Sequence, residues 1–185
     1  MDDFQSSTAN AIKDLFEKYG DEVYQYVRYT LGDAIQAEDV VQEIFLRALQ
    51  AWPRFEHRSS SRTWLWSIVR NYLSDVLRRK KRNKRFTEID LEIMADTLSV
   101  SDSFASVELD SVLQSVPAVY RQVIILRIIQ DKTSKEVAEL LGWTENKVRV
   151  TLHRALKKLQ HIIGENELVS VSTHKGRGRH GIEQT

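Results

Sequence analysis

The sequence predicts an all-α protein: two small helical domains joined by a flexible acidic linker, the second domain a helix-turn-helix. Three observations carry this. Apolar residues recur at helical spacing while strand-like alternation is absent, and 7 Gly and 2 Pro leave few breaks in 185 residues. Charge is segregated along the chain although the formal net charge is only +1. The stretch from Asp131 to Gln160 carries two helix starts around a glycine turn.

In chain order, residues 11–31 form the first helix, with Ile12, Leu15, Phe16, Tyr19, Val23, Val27 and Leu31 on one side and a possible kink at Gly20. Gly32-Asp33 marks a turn. Residues 36–52 form the cleanest amphipathic helix, with Val40, Val41, Ile44, Phe45, Ala48, Leu49 and Trp52 at the helical period. Its other face carries Asp39, Gln42, Glu43 and Arg47. Pro53 ends it, because proline lacks a backbone donor and restricts the residue before it. A polar loop over 54–63 follows, then a long helix with Leu65, Ile68, Val69, Tyr72, Val76 and Leu77 inward. Of Trp64 and Trp66, at least one is expected in the core.

Residues 86–110 hold 7 acidic and no basic side chains and show no strong period, apart from a possible short helix around Ile89–Met94. We take 1–85 as the first domain, 86–106 as the linker and 107–163 as the second domain. A helix covers about 107–116. Pro117 is expected at the first position of the next helix, which seats the helix-turn-helix. The tail over 164–185 is expected to be disordered, including the stretch HKGRGRHG.

The helix-turn-helix can be read residue by residue. Thr133 and Glu136 have the spacing of a capping box. Val137, Ala138, Leu140 and Leu141 give the short helix its apolar face. Gly142 allows the sharp turn at least cost, and Thr144 is a good N-cap for the second helix. There Val148, Leu152, Ala155, Leu156 and Leu159 form the inward stripe. Lys147, Arg149, Val150, His153, Arg154, Lys157 and Lys158 are left to the outer faces. A helical hairpin with a solvated basic face would share this pattern. The paired caps and the spacing of Ala138, Gly142 and Val148 favour the helix-turn-helix.

The charge pattern points to nucleic acid. Residues 1–52 hold 10 acidic and 4 basic side chains, residues 53–85 hold 2 and 11, and residues 132–163 hold 3 and 7. Two basic segments on either side of an acidic one suggest two contacts on one chain. In the first, Arg54, Arg58 and Arg62 can pair with phosphates and Phe55 can stack on a base. Ser59, Ser60 and Ser61 can serve bases or helix caps. Aromatic, Ser, Asn and Arg side chains around one loop suit single-stranded DNA, whose unstacked bases expose π-faces and polar edges. Seven of residues 78–85 are Lys or Arg, and this run directly follows a buried helical pattern, which favours phosphate contact over a solvated tail.

Other function classes find no support. With no Cys there is no disulfide framework, thiolate metal site or cysteine nucleophile. The five His show no metal spacing, and no glycine loop cradles phosphate. No cofactor, metal or catalytic activity is expected. The N-terminus is acidic and polar, unlike a secretory signal, and no apolar run approaches the roughly 18 residues of a membrane span. The expectation is a cytoplasmic protein without direct membrane insertion.

The stretch AEDVVQEIFLRAL, then FEHRSSSRTWLWSIVRNYLSDVLRRKKR, then LQSVPAVYRQVIILRIIQDKTSKEVAELLGWTENKVRVTLHRALKKL, resembles a bacterial RNA polymerase sigma factor of the extracytoplasmic-function class. The resemblance covers roughly residues 10–162, with three motifs in order. It implies a subunit that binds core RNA polymerase and directs it to specific promoters, in response to stress or an envelope signal. Its partners would be the β′ clamp helices, the β flap, promoter DNA as duplex and as melted strand, and an anti-sigma factor. Asp39, Gln42 and Glu43 would face the clamp helices. The loop and following helix would capture bases of the melted downstream element, in this family with one base flipped into a pocket. That role falls to Phe55, Arg58, Ser59, Ser60, Ser61, Trp64 and Asn71, with Arg78, Arg79 and Arg82 on phosphates nearby. The acidic linker would thread the channel that later carries RNA.

The upstream element would be read by Lys147, Arg149, Val150, His153, Arg154 and Lys157. The family often has a small polar residue in place of Val150 and Thr in place of Lys147, which bears on the DNA sequence read rather than on groove docking. The alternative is a stand-alone helix-turn-helix regulator, which would need a dimerisation or ligand-sensing surface in its first domain instead of the Asp39/Gln42/Glu43 face and the loop.

Overall fold

The structure is a computed structural model that describes residues 2–87 and 104–174, with side chains over 7–82 and 109–164. Among the described residues there are seven α-helices and no strand: α1 (Asp2–Leu31), α2 (Ala34–Ala51), α3 (Ser61–Thr87), α4 (Phe104–Gln114), α5 (Ala118–Ile124), α6 (Ser134–Leu141) and α7 (Glu145–His174). Most of the expected linker, 88–103, lies outside the described residues, as does the proposed short helix around Ile89–Met94.

The apolar period places the core. α1 runs uninterrupted through Gly20 and begins nine residues before the expected start at 11, at Asp2. It buries Leu15, Val23, Tyr26, Val27 and Leu31. Phe16, expected inward, is 54% exposed and meets Phe45 edge-on at 5.0 Å. Asp33 caps α2 by accepting from the Gln36 N–H. Val40, Val41, Ile44, Phe45 and Ala48 are buried beneath α2 as read, whereas Leu49 lies at the edge of the stripe and is exposed. Pro53 turns the chain into a single 3₁₀ turn, Trp52–Arg54. From α3, Leu65, Trp66, Val69 and Leu73 are fully buried, with Trp66 edge-on to Tyr26 at 4.9 Å.

In the second half, Pro117 is the N-cap of α5 rather than its first residue. α5 then widens into one π-helical turn, Ile125–Ile129, closed by the Gln130 N–H to Ile125 O at 2.9 Å. A uniform helical reading of 118–130 misses this extra residue, which re-aims the chain toward the helix-turn-helix. The capping box at α6 is complete: the Thr133 hydroxyl accepts from the Glu136 N–H and the Glu136 carboxylate accepts from the Thr133 N–H. Gly142 takes φ +63, and the Trp143 N–H closes the turn on Ala138 O. The Thr144 hydroxyl accepts from the Lys147 N–H at the start of α7.

Two expectations for α7 need correction. Leu156 lies at the edge of the stripe and is 37% exposed, while Thr151, between Val148 and Ala155 on the helix surface, is buried. The helix also continues past Gly164 to His174, so the first part of the expected disordered tail is helical. One isolated glycine lowers helix stability without breaking the hydrogen-bond ladder. The basic stretch from residue 175 onward lies outside the described residues.

Replacing Thr133 by Ala is expected to lower stability by about 1 kcal/mol in urea denaturation. The hydrogen bonds from the Thr133 side chain and backbone hold the Glu136 carboxyl below its ordinary range. That contribution is complete above the ordinary Glu pKa and is lost as pH falls through the depressed folded value. The difference between wild type and variant should therefore narrow on acidification.

Candidate nucleic-acid interface

The loop between α2 and α3 is built on aromatic rings. Phe55 and Trp64 are stacked, 4.8 Å apart and inclined 30°. Trp52 packs on both, at 5.2 Å from Phe55 and 5.3 Å from Trp64. His57, at the apex with φ +54, lies 4.4 Å from Phe55. A cavity of about 210 Å³ opens here, lined by Arg54, Phe55, Glu56, Arg58, Ser59 and Trp64. Rings packed on one another in this way are restrained before anything binds, and Phe55 and Trp64 both line the cavity.

The serines divide by role. Ser60 caps α3, accepting from the Thr63 N–H at 3.1 Å, so its hydroxyl is engaged in holding the helix start. Ser61 is already in the first turn, and Ser59 is exposed. Trp66 is the core tryptophan and Trp64 the half-buried one. Arg62 is not free for phosphate here: its guanidinium bridges both carboxylate oxygens of Glu22 at 3.0 and 3.1 Å.

Asp39 and Gln42 are exposed on α2, and Glu43 is half-buried. Glu43 accepts from Arg47 at 2.7 Å, and the Arg47 guanidinium lies 4.4 Å from the Tyr72 ring centre. Ile35, Leu46 and Leu49, which the sequence reading left out of this face, are exposed apolar residues on the same helix. Asp39 also lines a groove of about 580 Å³ with Gln36, Val40, Tyr72, Val76, Arg79 and Lys80. One end of the basic run thus adjoins the acidic face. Arg78 pairs with Asp75 at 3.4 Å, and Arg79 and Arg82 are exposed. Lys80 turns inward to the carbonyl of Leu31. The side chains of Lys84 and Arg85 lie outside the described residues.

On α7, Lys147, Arg149, Val150, His153, Arg154 and Lys157 are all exposed, opposite the stripe of Val148, Thr151 and Ala155. Arg149 is held by Glu145 at 2.8 Å, and Lys147 lies 4.0 Å from the Trp143 ring centre. His153, Arg154 and Lys157 have no such tether among the described contacts. A basic outer face on the second helix of a helix-turn-helix is the geometry that enters a major groove.

The two halves share a seam that sequence reasoning missed. One apolar core runs from Val23, Tyr26 and Trp66 into Val123, Leu126, Val137 and Leu140. Glu22 receives Arg62 and also Lys132 at 3.2 Å, while its backbone carbonyl accepts from Gln130. Arg70 donates to Leu140 O at 3.0 Å and packs over Gly142, where a Cβ would meet its guanidinium at 2.7 Å. Asn71 lines a cleft of about 630 Å³ together with Arg70, Trp143 and Lys147. One candidate from each reading surface therefore faces the same cleft. The hydroxyl of Tyr26 and the indole N–H of Trp66 are buried in this core without a partner. Burial pushes the Tyr26 pKa far up, opposed by the charge of Arg70. Contacts separated by 40 to 108 residues leave no local sequence signal.

The fold and these surfaces define a helical DNA-binding protein made of two units. The sigma-70 region 2 family model matches residues 15–83, and the sigma-70 region 4 model matches residues 106–159. The ECF RNA polymerase sigma factor SigX of Bacillus subtilis is 34% identical over 156 residues, spanning 79% of this chain and 80% of that protein. SigW of the same organism is 29% identical over 165 residues, 82% of this chain and 88% of its own. Among solved structures, the sigma factor RpoE of Bartonella quintana, in complex with the anti-sigma factor NepR, aligns with a TM-score of 0.64 at 21% identity, over 82% of this chain and 96% of that one. CnrH in complex with the cytosolic domain of CnrY gives the same TM-score at 24% identity, over 87% and 92%. These two establish the shared fold. The chain belongs to the ECF family of RNA polymerase sigma factors, proteins that direct polymerase to promoters. The region 2 match accounts for the first half as a sigma domain and disfavours a stand-alone regulator. Among the described residues no helix is long and apolar enough to cross a membrane.

Proposed function

We propose that this sigma factor divides its work between the two surfaces described. The outer face of α2, with Asp39, Gln42 and Glu43, engages the clamp helices of the polymerase β′ subunit, and the second half meets the β flap. The loop from Phe55 to Ser60, with Ser61, Trp64 and Asn71, captures bases of the melted downstream element, and Arg78, Arg79 and Arg82 hold adjacent phosphates. Through Lys147, Arg149, Val150, His153, Arg154 and Lys157, α7 reads the upstream element in duplex DNA. The observation that carries this reading is the stacked Phe55–Trp64 pair beside an open cavity on one half, combined with an exposed basic helix face on the other.

Asn71 and Lys147 line one cleft, so one residue of each reading surface opens onto the space between the halves. The chain acts in the cytoplasm as a non-catalytic subunit, the chemistry of RNA synthesis belonging to polymerase. An anti-sigma factor, the kind of partner NepR is to RpoE, would hold this chain until a stress or envelope signal arrives.

Run-off transcription tests the whole reading. Purified chain, bacterial core polymerase and genomic promoter fragments should give specific starts that share two short upstream elements. If no polymerase-dependent start appears, the reading is wrong. The double variant Gln42→Ala/Glu43→Lys should bind core polymerase at least about tenfold more weakly, since opposite charges at an interface set both encounter and register. Its helical content should match wild type, because Gln42 is exposed and, among the described contacts, Glu43 bonds Arg47 on its own helix. Unchanged affinity for core enzyme would remove α2 from the interface.

A further inference from the structure

The cleft between the halves is lined by two cations, Arg70 of α3 and Lys147 of α7, and by no Asp or Glu among the described residues. Elsewhere along the seam the cations are matched. Arg62 and Lys132 share Glu22, and Arg121 is met by several carbonyls. Arg70 is half-buried and has one acceptor among the described contacts, the carbonyl of Leu140 at 3.0 Å. It packs so closely over Gly142 that a Cβ there would stand 2.7 Å from its guanidinium. Lys147 rests over the Trp143 ring. Neither cation has a carboxylate partner among the described contacts. A charge held partly out of water without a counter-charge is costly, and an anion entering between Arg70 and Lys147 would supply one.

The rest of the lining specifies more than an anion. Leu77, Ala118, Val119 and Leu141 form an apolar wall. Asn71, Ser74 and Gln122 add two amides and a hydroxyl that make no hydrogen bond within the chain among the described contacts. An amide both donates and accepts, so it can meet the mixed polar edge of a heterocyclic base. An apolar wall with a few convergent polar groups, in a space of about 630 Å³, has the form of a small-molecule site. A bare phosphate would leave the wall and the amides unused. A nucleoside alone would leave the cations unbalanced.

We propose that this cleft binds a free nucleoside polyphosphate. Its phosphates lie between Arg70 and Lys147, and its base lies against the apolar wall, met by Asn71 and Gln122. Because Arg70 and Asn71 belong to one half and Gln122 and Lys147 to the other, the ligand draws on both halves at once. The site is independent of which DNA each surface reads.

Isothermal titration calorimetry of the full chain tests this with ATP, GTP, adenosine and inorganic tripolyphosphate as probes. ATP or GTP should bind one per chain with a Kd below about 1 mM, and adenosine and tripolyphosphate each at least about tenfold more weakly. Asn71→Ala in the first half and Lys147→Gln in the second should each weaken the nucleotide by about tenfold, the scale of one hydrogen bond to a charged or well-enclosed group. Both side chains are exposed, so the circular dichroism of each variant should match wild type. Lys158→Gln removes an exposed cation of α7 that does not line the cleft, and should leave the affinity unchanged. No saturable binding of ATP or GTP in this range would overturn the proposal. So would tripolyphosphate binding as tightly as either nucleotide, wild-type affinity in both cleft variants, or an equal loss in Lys158→Gln. A short single-stranded oligonucleotide that competes with ATP and binds more tightly would assign the cleft to nucleic acid and overturn the proposal as well.

Discussion

Arg121→Ala is expected to destabilise the chain by about 3 kcal/mol or more, among the largest single-residue effects in the molecule. The side chain is 7% exposed and makes no ion pair among the described contacts. Its charge is held by carbonyls instead. Nε donates to Leu113 O at 2.8 Å, and the terminal nitrogens donate to Val116 O at 3.1 Å, Gln114 O at 3.2 Å and Thr30 O at 2.5 Å. A further bond runs to the Gln114 side chain. The carbonyls of Leu113 and Gln114 end α4 and that of Val116 follows it, where a helix runs short of backbone donors for its last carbonyls. Thr30 lies near the end of α1, in the other half. Burial lowers the Arg121 pKa, and this ring of acceptors is what keeps the guanidinium charged.

Alanine would take this donor from the carbonyls of the buried Val116 and Thr30 and would cut a tie between the halves. Arg121→Lys should recover little, because one ammonium cannot span acceptors that a planar fork reaches together. Urea denaturation followed by far-ultraviolet circular dichroism measures both variants. A loss below about 1 kcal/mol for Arg121→Ala would mean that water takes over these carbonyls at little cost.

Arg121 also marks where sequence reasoning stops. Its bonds join residues 5 to 91 positions away, and nothing in AVYRQVIILR separates it from a surface arginine. Local signals were legible. Thr133 with Glu136, Gly142 and Thr144 fixed the helix-turn-helix turn by turn, because each cap acts within three residues and has its own residue type. The period of α2 placed Val40, Ile44 and Ala48 inward for the same reason. A period reports which residues share a face but not how far a neighbouring helix covers that face. Phe16, Leu49 and Leu156 are therefore more exposed than the pattern implies. The π-helical turn after Ile124 answers to packing rather than to residue type, and the Glu22 hub needs α1, α3 and the segment before α6 brought together. In the candidate interface the exposed positions on α2 and α7 were readable. The ring cluster was read only in part: Phe55 and Trp64 were singled out, but Trp52 and His57 join them only in three dimensions, and Ser60 is a cap.

Trp64→Leu is expected to reduce open-complex formation by about tenfold to a hundredfold, since stacking on one aromatic side chain contributes about 1–3 kcal/mol per base. Trp64 is half-buried and stacked on Phe55, and the same pair faces the cavity, so its loss removes a ring platform rather than a single contact. Leucine keeps apolar bulk against Trp52 and Phe55 and limits the cost to the fold, while it has no π-face to offer a base. Trp64→Phe keeps the face and should stay within a few-fold of wild type. A template carrying a preformed bubble separates capture from melting: if Trp64 binds unpaired bases, the deficit should persist there. Binding of polymerase with each variant to the upstream duplex element should be unchanged, because α7 lies on the other half. Equal open-complex yields for Trp64→Leu and wild type on both templates would make Trp64 a packing residue and leave the loop without its stacking platform.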